Sequence, residues 1–333
     1  MAPSNTQFLQ LLFMAIFVLL ANSDPSLPQQ PYRHIPLDGA IGPESILFDN
    51  FGDGPYTGTS DGRVMKWNRA TQKWDEFATQ PQRDGVLCDG SRDPDFEAEC
   101  GRPLGLQLNR VTGEFYIVDA YHGLLVVGPR GGMATPVVTS AEGRPFIFLD
   151  GVDVDQATGM VYFTEASGVY TRKDHELVSA NGDRTGRIIS YNPWTREVRV
   201  LLGNLPFPNG VALSRDGSFL LVSETSALRV MRYWLRGPRS GDYEVFAFVP
   251  GFPDNIKMNS RGEFWVAVAH GLVSDPDAGT VVGVKLNEDG AVLQVLVDKQ
   301  IEGTVSVSEV QESNGAIWIG SVDQPFVGIY INF

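Results

Sequence analysis

The sequence predicts an all-β protein: a six-bladed β-propeller whose ring is closed by an N-terminal strand joining the last blade. A turn ending in Gly, followed by a strand of aromatic and β-branched residues, occurs six times, the turn glycines being Gly54, Gly113, Gly159, Gly217, Gly262 and Gly315. Their spacings of 59, 46, 58, 45 and 53 residues suit a blade of short strands and tight turns. Between the turns, polar and apolar residues alternate, the period of half-buried antiparallel strands rather than of helix.

Residues 1–23 carry no charged side chain and contain an apolar run from Phe8 to Leu20, followed by the small residues Ala21-Asn22-Ser23. This reads as a secretory signal, too short for a comfortable membrane span. A Pro-rich linker at 24–31 leads into one propeller domain at 32–333, a length within the range of single all-β domains. Tyr32 to Leu37 is the strand expected to close the ring. Blade four shows the full pattern: Val211-Ala212-Leu213 as inner strand, then Phe219 to Val222, Arg229 to Trp234 and Tyr243 to Val249. Third strands are expected at Arg63 to Trp67, Leu124 to Val127, Arg187 to Tyr191 and Val281 to Lys285. Tyr170 to Thr185 is polar and aperiodic and reads as an excursion on one rim. The last blade supplies three strands before the chain reaches Phe333, and an open edge there would be a liability, which the closing strand removes.

The net charge of −14 falls entirely beyond residue 23. It argues against nucleic acid and against anionic membrane surfaces as partners. No later apolar stretch is long enough for insertion once the signal is removed. Secretory-pathway residence, in the vacuole or the extracellular space and cell wall, is expected for a monomer. Cys88 and Cys100 lie twelve residues apart in a polar loop, and a secreted chain with one such pair most simply forms one disulfide. No Asn-x-Ser/Thr acceptor occurs.

Polar residues stand just before the inner strands at equivalent places: Glu44 in Gly42-Pro43-Glu44-Ser45, Asp150 in Leu149-Asp150-Gly151, Asn209 in Pro208-Asn209-Gly210, and Asp254 with Asn255 in Pro253-Asp254-Asn255. Blade two offers only Pro103-Leu104-Gly105. In a propeller these starts converge on the channel mouth. Carboxylates gathered there repel unless neutralised, and carboxylate plus amide oxygens suit a hard cation such as Ca²⁺. The competing reading is ordinary turn chemistry, because Asn-Gly and Asp-Gly are common turn formers. His122 and His270 follow second strands and are candidate general bases. A small-molecule substrate would enter the channel.

Taken with Ser60-Asp61-Gly62-Arg63-Val64, Cys100-Gly101-Arg102-Pro103, Tyr116-Ile117-Val118-Asp119-Ala120-Tyr121 and Arg232-Tyr233-Trp234-Leu235-Arg236-Gly237-Pro238, the chain resembles the plant strictosidine synthase-like family. The resemblance runs from about Ile41 onward. It implies the six-bladed propeller, commonly vacuolar residence and the Cys88–Cys100 bridge. True strictosidine synthases join tryptamine to secologanin with a glutamate at the start of the sixth inner strand as acid/base. Counting back from Gly315 puts that place at Val305, or at Thr304 if anchored on Gly303, so the catalyst is substituted. Glu302 lies before Gly303 and Glu309 four residues further on. Related paraoxonase and gluconolactonase propellers hold a catalytic calcium with Glu, Asn, Asn and Asp, and Asp150 departs from that set. The readings in order are a metal-dependent ester or lactone hydrolase, an amine–aldehyde condensing enzyme of alkaloid biosynthesis, and a non-catalytic binding propeller.

Overall fold

A computed structural model describes residues 32–271, 279–298 and 306–331. Val305, Thr304 and Glu302 lie outside these residues. Six four-stranded sheets are arranged as a six-bladed propeller. Blade four is the strand series Pro208–Leu213, Phe219–Glu224, Arg229–Trp234 and Tyr243–Phe248, and blades two, three and five repeat it. Blade six is built from Val307–Ser313, Ala316–Ser321 and Phe326–Ile331, and its outer strand is Tyr32–Pro36. Tyr32 pairs with Tyr330 and Pro36 with Phe326, so the ring closes as the sequence requires. Pro36 is tolerated because its strand is an edge, and the Trp74 indole N–H donates to the Pro36 carbonyl at 2.8 Å, fastening the closure to blade one.

Blade one departs from the pattern. Its inner strand shrinks to the single bridge Leu47–Tyr56, and its outer edge gains Gly132–Met133 as a short parallel strand. The rim excursion at 170–185 is not wholly irregular, containing the short helix His175–Ala180. Val178 of that helix packs with Leu104, Ala120, Phe148, Ala166 and Phe207, so one apolar residue docks an otherwise polar segment on the rim.

The core is divided among the blade interfaces. Leu221, Val230 and Ala212 of blade four pack on Ile256, Phe264 and Val284 of blade five. Comparable clusters join blades one and two, two and three, three and four, five and six, and six and one. Each fully buried Leu, Ile, Val or Phe contributes roughly 1.5–3 kcal/mol, so each interface is a substantial hydrophobic joint. Near the axis the inner strands approach too closely for side chains. A Cβ on Gly151 would lie 2.7 Å from the Asn209 carbonyl oxygen, and one on Gly210 2.6 Å from the Asn255 Cα. Glycine is required there to let the ring tighten around its channel.

Candidate functional site at the channel mouth

Five inner strands break their pairing near the mouth: between Pro103 and Gly105, Leu149 and Val152, Pro208 and Val211, Pro253 and Ile256, and Val307 and Glu309. These are β-bulges, which re-aim side chains locally. Blade three shows the effect. Leu149 and Val152, three residues apart, join the same interblade core, which strict two-residue alternation forbids. The inserted pair Asp150-Gly151 is thereby freed from the ladder. Asn209-Gly210 and Asp254-Asn255 hold the same places in their blades. In blade six only Ser308 holds that place, and Glu309 follows it, paired with Gly320.

The structure sets Asn255 against Glu44 and Asn209 against Asp254. Asn255 donates its amide N–H to Glu44 Oε1 at 2.9 Å, and Ser45 Oγ donates to Glu44 Oε2 at 3.2 Å. Glu44 is fully buried, and its carboxyl is pushed well above the usual range by desolvation, then by the charges of Asp254, Asp150 and Glu309, against the pull of Arg102. Burial also raises Asp150 well above its ordinary value, with Asp254 adding to the shift and Arg172 opposing it. Asp254 is raised to about 7 by desolvation, held back by hydrogen bonds from Asn209 and the Asn255 backbone. Asn209 Oδ1, Asp254 Oδ1 and Glu309 Oε2 are buried oxygens with no hydrogen-bond donor. Asn209 does not act as a simple turn former here, because Thr164 Oγ donates to its backbone carbonyl at 2.5 Å while the side-chain oxygen stays unpaired.

Glu309 lies beside the mouth carboxyls although the sequence sets it four residues past Val305. The contracted bulge of blade six turns it inward, where Oε1 accepts the Ile46 N–H at 3.0 Å and Oε2 lies 3.6 Å from the Lys257 ammonium. Burial raises its carboxyl to about 7, with Lys257 opposing. Ser308 donates to the Glu44 carbonyl at 2.8 Å. The repeat interval falls just short of both residues. Asn209 precedes Gly217, and Asp254 precedes Gly262, by eight residues; the same interval from Gly315 reaches Val307, next to Ser308. Below the mouth, Lys257 also donates to the Leu106 carbonyl at 3.4 Å and so spans the channel.

His122 lies against Gly101 and Asp119, with Nε2 buried and unpartnered. His270 is exposed and edge-on to Phe252 at 6.3 Å. The cysteines form the expected Cys88–Cys100 disulfide. Its loop reaches the rim through Glu97, which accepts Arg172 Nη1 at 3.0 Å and the Tyr121 hydroxyl at 2.9 Å. Arg172 in turn is one of the cations that hold down Asp150 and Asp254.

The residues fit a cation in one respect and resist it in another. Donorless buried oxygens on a carboxylate-rich mouth are what a hard cation satisfies. Yet among the described residues no three His, Cys, Asp or Glu side chains close on one point, so any ion would draw on the Asn209 amide as well.

Solved structures of similar shape include a putative gluconolactonase (17% identity, TM-score 0.63, covering 93% of this chain and 97% of that one) and the calcium-binding protein regucalcin from Agrobacterium tumefaciens (14%, TM-score 0.60, 90% and 93%). At such identities the likeness is one of fold. Family models match at residues 150–238 (strictosidine synthase) and 32–67 (strictosidine synthase-like, N-terminal). Arabidopsis thaliana strictosidine synthase-like protein 10 is 45% identical over 327 residues, 88% of this chain and 86% of its own. Strictosidine synthase-like protein 2 of the same plant is 43% identical over 337 residues, 90% and 89%. With such relatives along nearly its whole length, the chain belongs to the strictosidine synthase-like family.

Proposed function

We propose that the channel mouth is the active site of a secretory-pathway enzyme that hydrolyses a small ester or lactone, with a calcium ion held by Glu44, Asp150, Asn209 and Asp254. The observation that carries this reading is the pair of buried oxygens without donors on Asn209 and Asp254, beside carboxyls whose charges repel. A bound cation would supply polarisation of the substrate carbonyl and stabilise the developing oxyanion. The chain's own residues do the rest. Asn255 and Ser45 orient the Glu44 carboxylate. Glu309, titrating near 7 between the Ile46 N–H and Lys257, is poised to take a proton from an attacking water and return it to the leaving oxygen.

The test is hydrolysis of aryl esters and sugar lactones by the purified protein, with metal content measured in parallel. Activity lost on chelation and restored by calcium supports the reading; hydrolysis indifferent to chelator, or none with any metal, overturns it. A second reading, amine–aldehyde condensation, is favoured by one observation, the inward placement of Glu309 with a near-neutral titration. Product from tryptamine and secologanin, abolished by Glu309→Gln, would select it.

A further inference from the structure

We infer that the groove between blades three and four, at the end of the ring away from the channel mouth, is a binding site for a neutral sugar. The groove opens where Met160 leads into the second strand of blade three, Val161–Ser167, and where Leu235 and Arg236 follow the third strand of blade four, Arg229–Trp234. Val161 pairs with Val154, at the end of the inner strand remote from Asp150, so this groove and the mouth lie at opposite ends of one strand. Its volume of about 350 Å³ falls at the small end of ligand sites, roughly 300–1,000 Å³.

Two hydroxyls in the groove lack partners. Tyr162 is 7% exposed and Ser190 3%, yet neither hydroxyl makes a hydrogen bond among the described residues. Their oxygens are not sealed in the core; they line the groove, where a ligand or water completes them. The wall behind them is tied across the blades, the Tyr233 hydroxyl donating to the Leu201 carbonyl at 3.4 Å.

The rim selects what enters. Arg199 donates only Nε to Glu197, at 2.7 Å, and Arg236 donates only Nη2 to Asp155 across the blade boundary, at 3.0 Å. The other N–H groups of both guanidiniums stay open, as does Glu197 Oε2. Arginine only donates and carboxylate only accepts, so each pair sets donors beside acceptors. A sugar matches this pattern, because every hydroxyl does both and neighbouring hydroxyls engage the two partners at once. Charge is balanced here. The two arginines meet two carboxylates, and the adjoining turns add Arg196 and Asp216, one of each sign. An ionic ligand therefore gains little over a neutral one. Met160, Leu201 and Leu235 supply an apolar floor for the C–H face of a sugar ring. Trp194, 77% exposed, stands at the edge, its indole N–H donating to the Thr158 carbonyl two residues before Met160. Held by that bond, the indole offers a face to a second ring.

The test is saturation-transfer NMR on the full chain with cellobiose, xylobiose, mannobiose and galactobiose, each up to about 10 mM. At least one should bind with a Kd of about 1 mM. Leu235→Trp, which fills the groove, should abolish that binding, and Tyr162→Phe should weaken it about fivefold, the worth of one hydrogen bond. Glu197→Ala with Arg199→Ala, both exposed and outside the core, should weaken it at least about tenfold and serves even where Leu235→Trp fails to fold. No binding by any of the four sugars, or binding unchanged in these variants, overturns the site. Digalacturonate bound more than about tenfold tighter than galactobiose overturns the preference for a neutral ligand. None of these changes touches the channel mouth, so hydrolysis serves as an independent control.

Discussion

Asp150 and Asp155 lie five residues apart on one inner strand and its turn, and they are opposites. Asp155, at the far end, is a turn former whose needs are met: its oxygens accept from the Ala157 N–H at 2.9 Å, Thr158 Oγ at 2.7 Å and Arg236 at 3.0 Å. Against the desolvation of partial burial, these partners hold its carboxyl below the usual value. Asp150, at the mouth, is buried among like charges and pushed up. Asn259 and Asn209 repeat the contrast. Asn259 Oδ1 accepts the Arg261 and Glu263 N–H groups, while Asn209 Oδ1 accepts nothing. The same residue types serve structure at one end of the ring and are left unsatisfied at the other. Such unpaired buried polar atoms cost stability and make that end the candidate for function.

The sharpest way to break this comparison is at Asp254. Asp254→Ala should lower hydrolytic turnover by at least about 100-fold and remove calcium affinity while the melting temperature holds or rises. A large loss of stability would make Asp254 a structural residue like Asp155. The next effect is a difference in sign. At pH 8, Asp150→Asn should stabilise the chain by about 1–2 kcal/mol by removing a repelled buried charge. Asp155→Ala should destabilise it by about 1–2 kcal/mol through lost hydrogen bonds. Thermal melts of both variants with chelator present check this, and shifts of the same sign would erase the distinction between the two ends.

A smaller effect is the pH dependence of the metal-free protein. Asp254 and Glu309 titrate near 7 when folded, above their unfolded values of roughly 4. Across that window the folded state keeps protons the unfolded chain has released, so stability is greatest below about pH 4 for these groups and falls as pH rises to about 7. The melting temperature should drop by about 5 °C between pH 5 and pH 8, and Glu309→Gln should reduce the drop. A profile flat over that range would mean these carboxyls are not protonated in the folded state.

The fold was legible because its signals are local and repeated. Turns such as Thr158-Gly159 and Asp216-Gly217 announce themselves within a few residues, and third strands such as Arg229–Trp234 show their alternation unaided. Glu44, Asp150, Asn209 and Asp254 were legible because repeat equivalence put them at one end. Ser308 and Glu309 were not, because a bulge is defined by pairing across strands, Val307 with Ser321 and Glu309 with Gly320, and this one is a residue shorter than its counterparts in blades three to five. The single bridge that replaces blade one's inner strand was hidden for the same reason.

The pairing of Tyr32 with Tyr330 sets a schedule for synthesis. The strand at Tyr32 needs a partner made about 300 residues later in the chain. At about 5–20 residues per second it waits roughly 15–60 s with an unsatisfied edge while five blades assemble beside it. Anything that shortens the chain at its C-terminus, even by one strand, would therefore strand its opposite end and leave an open ring prone to pairing with a neighbour's edge.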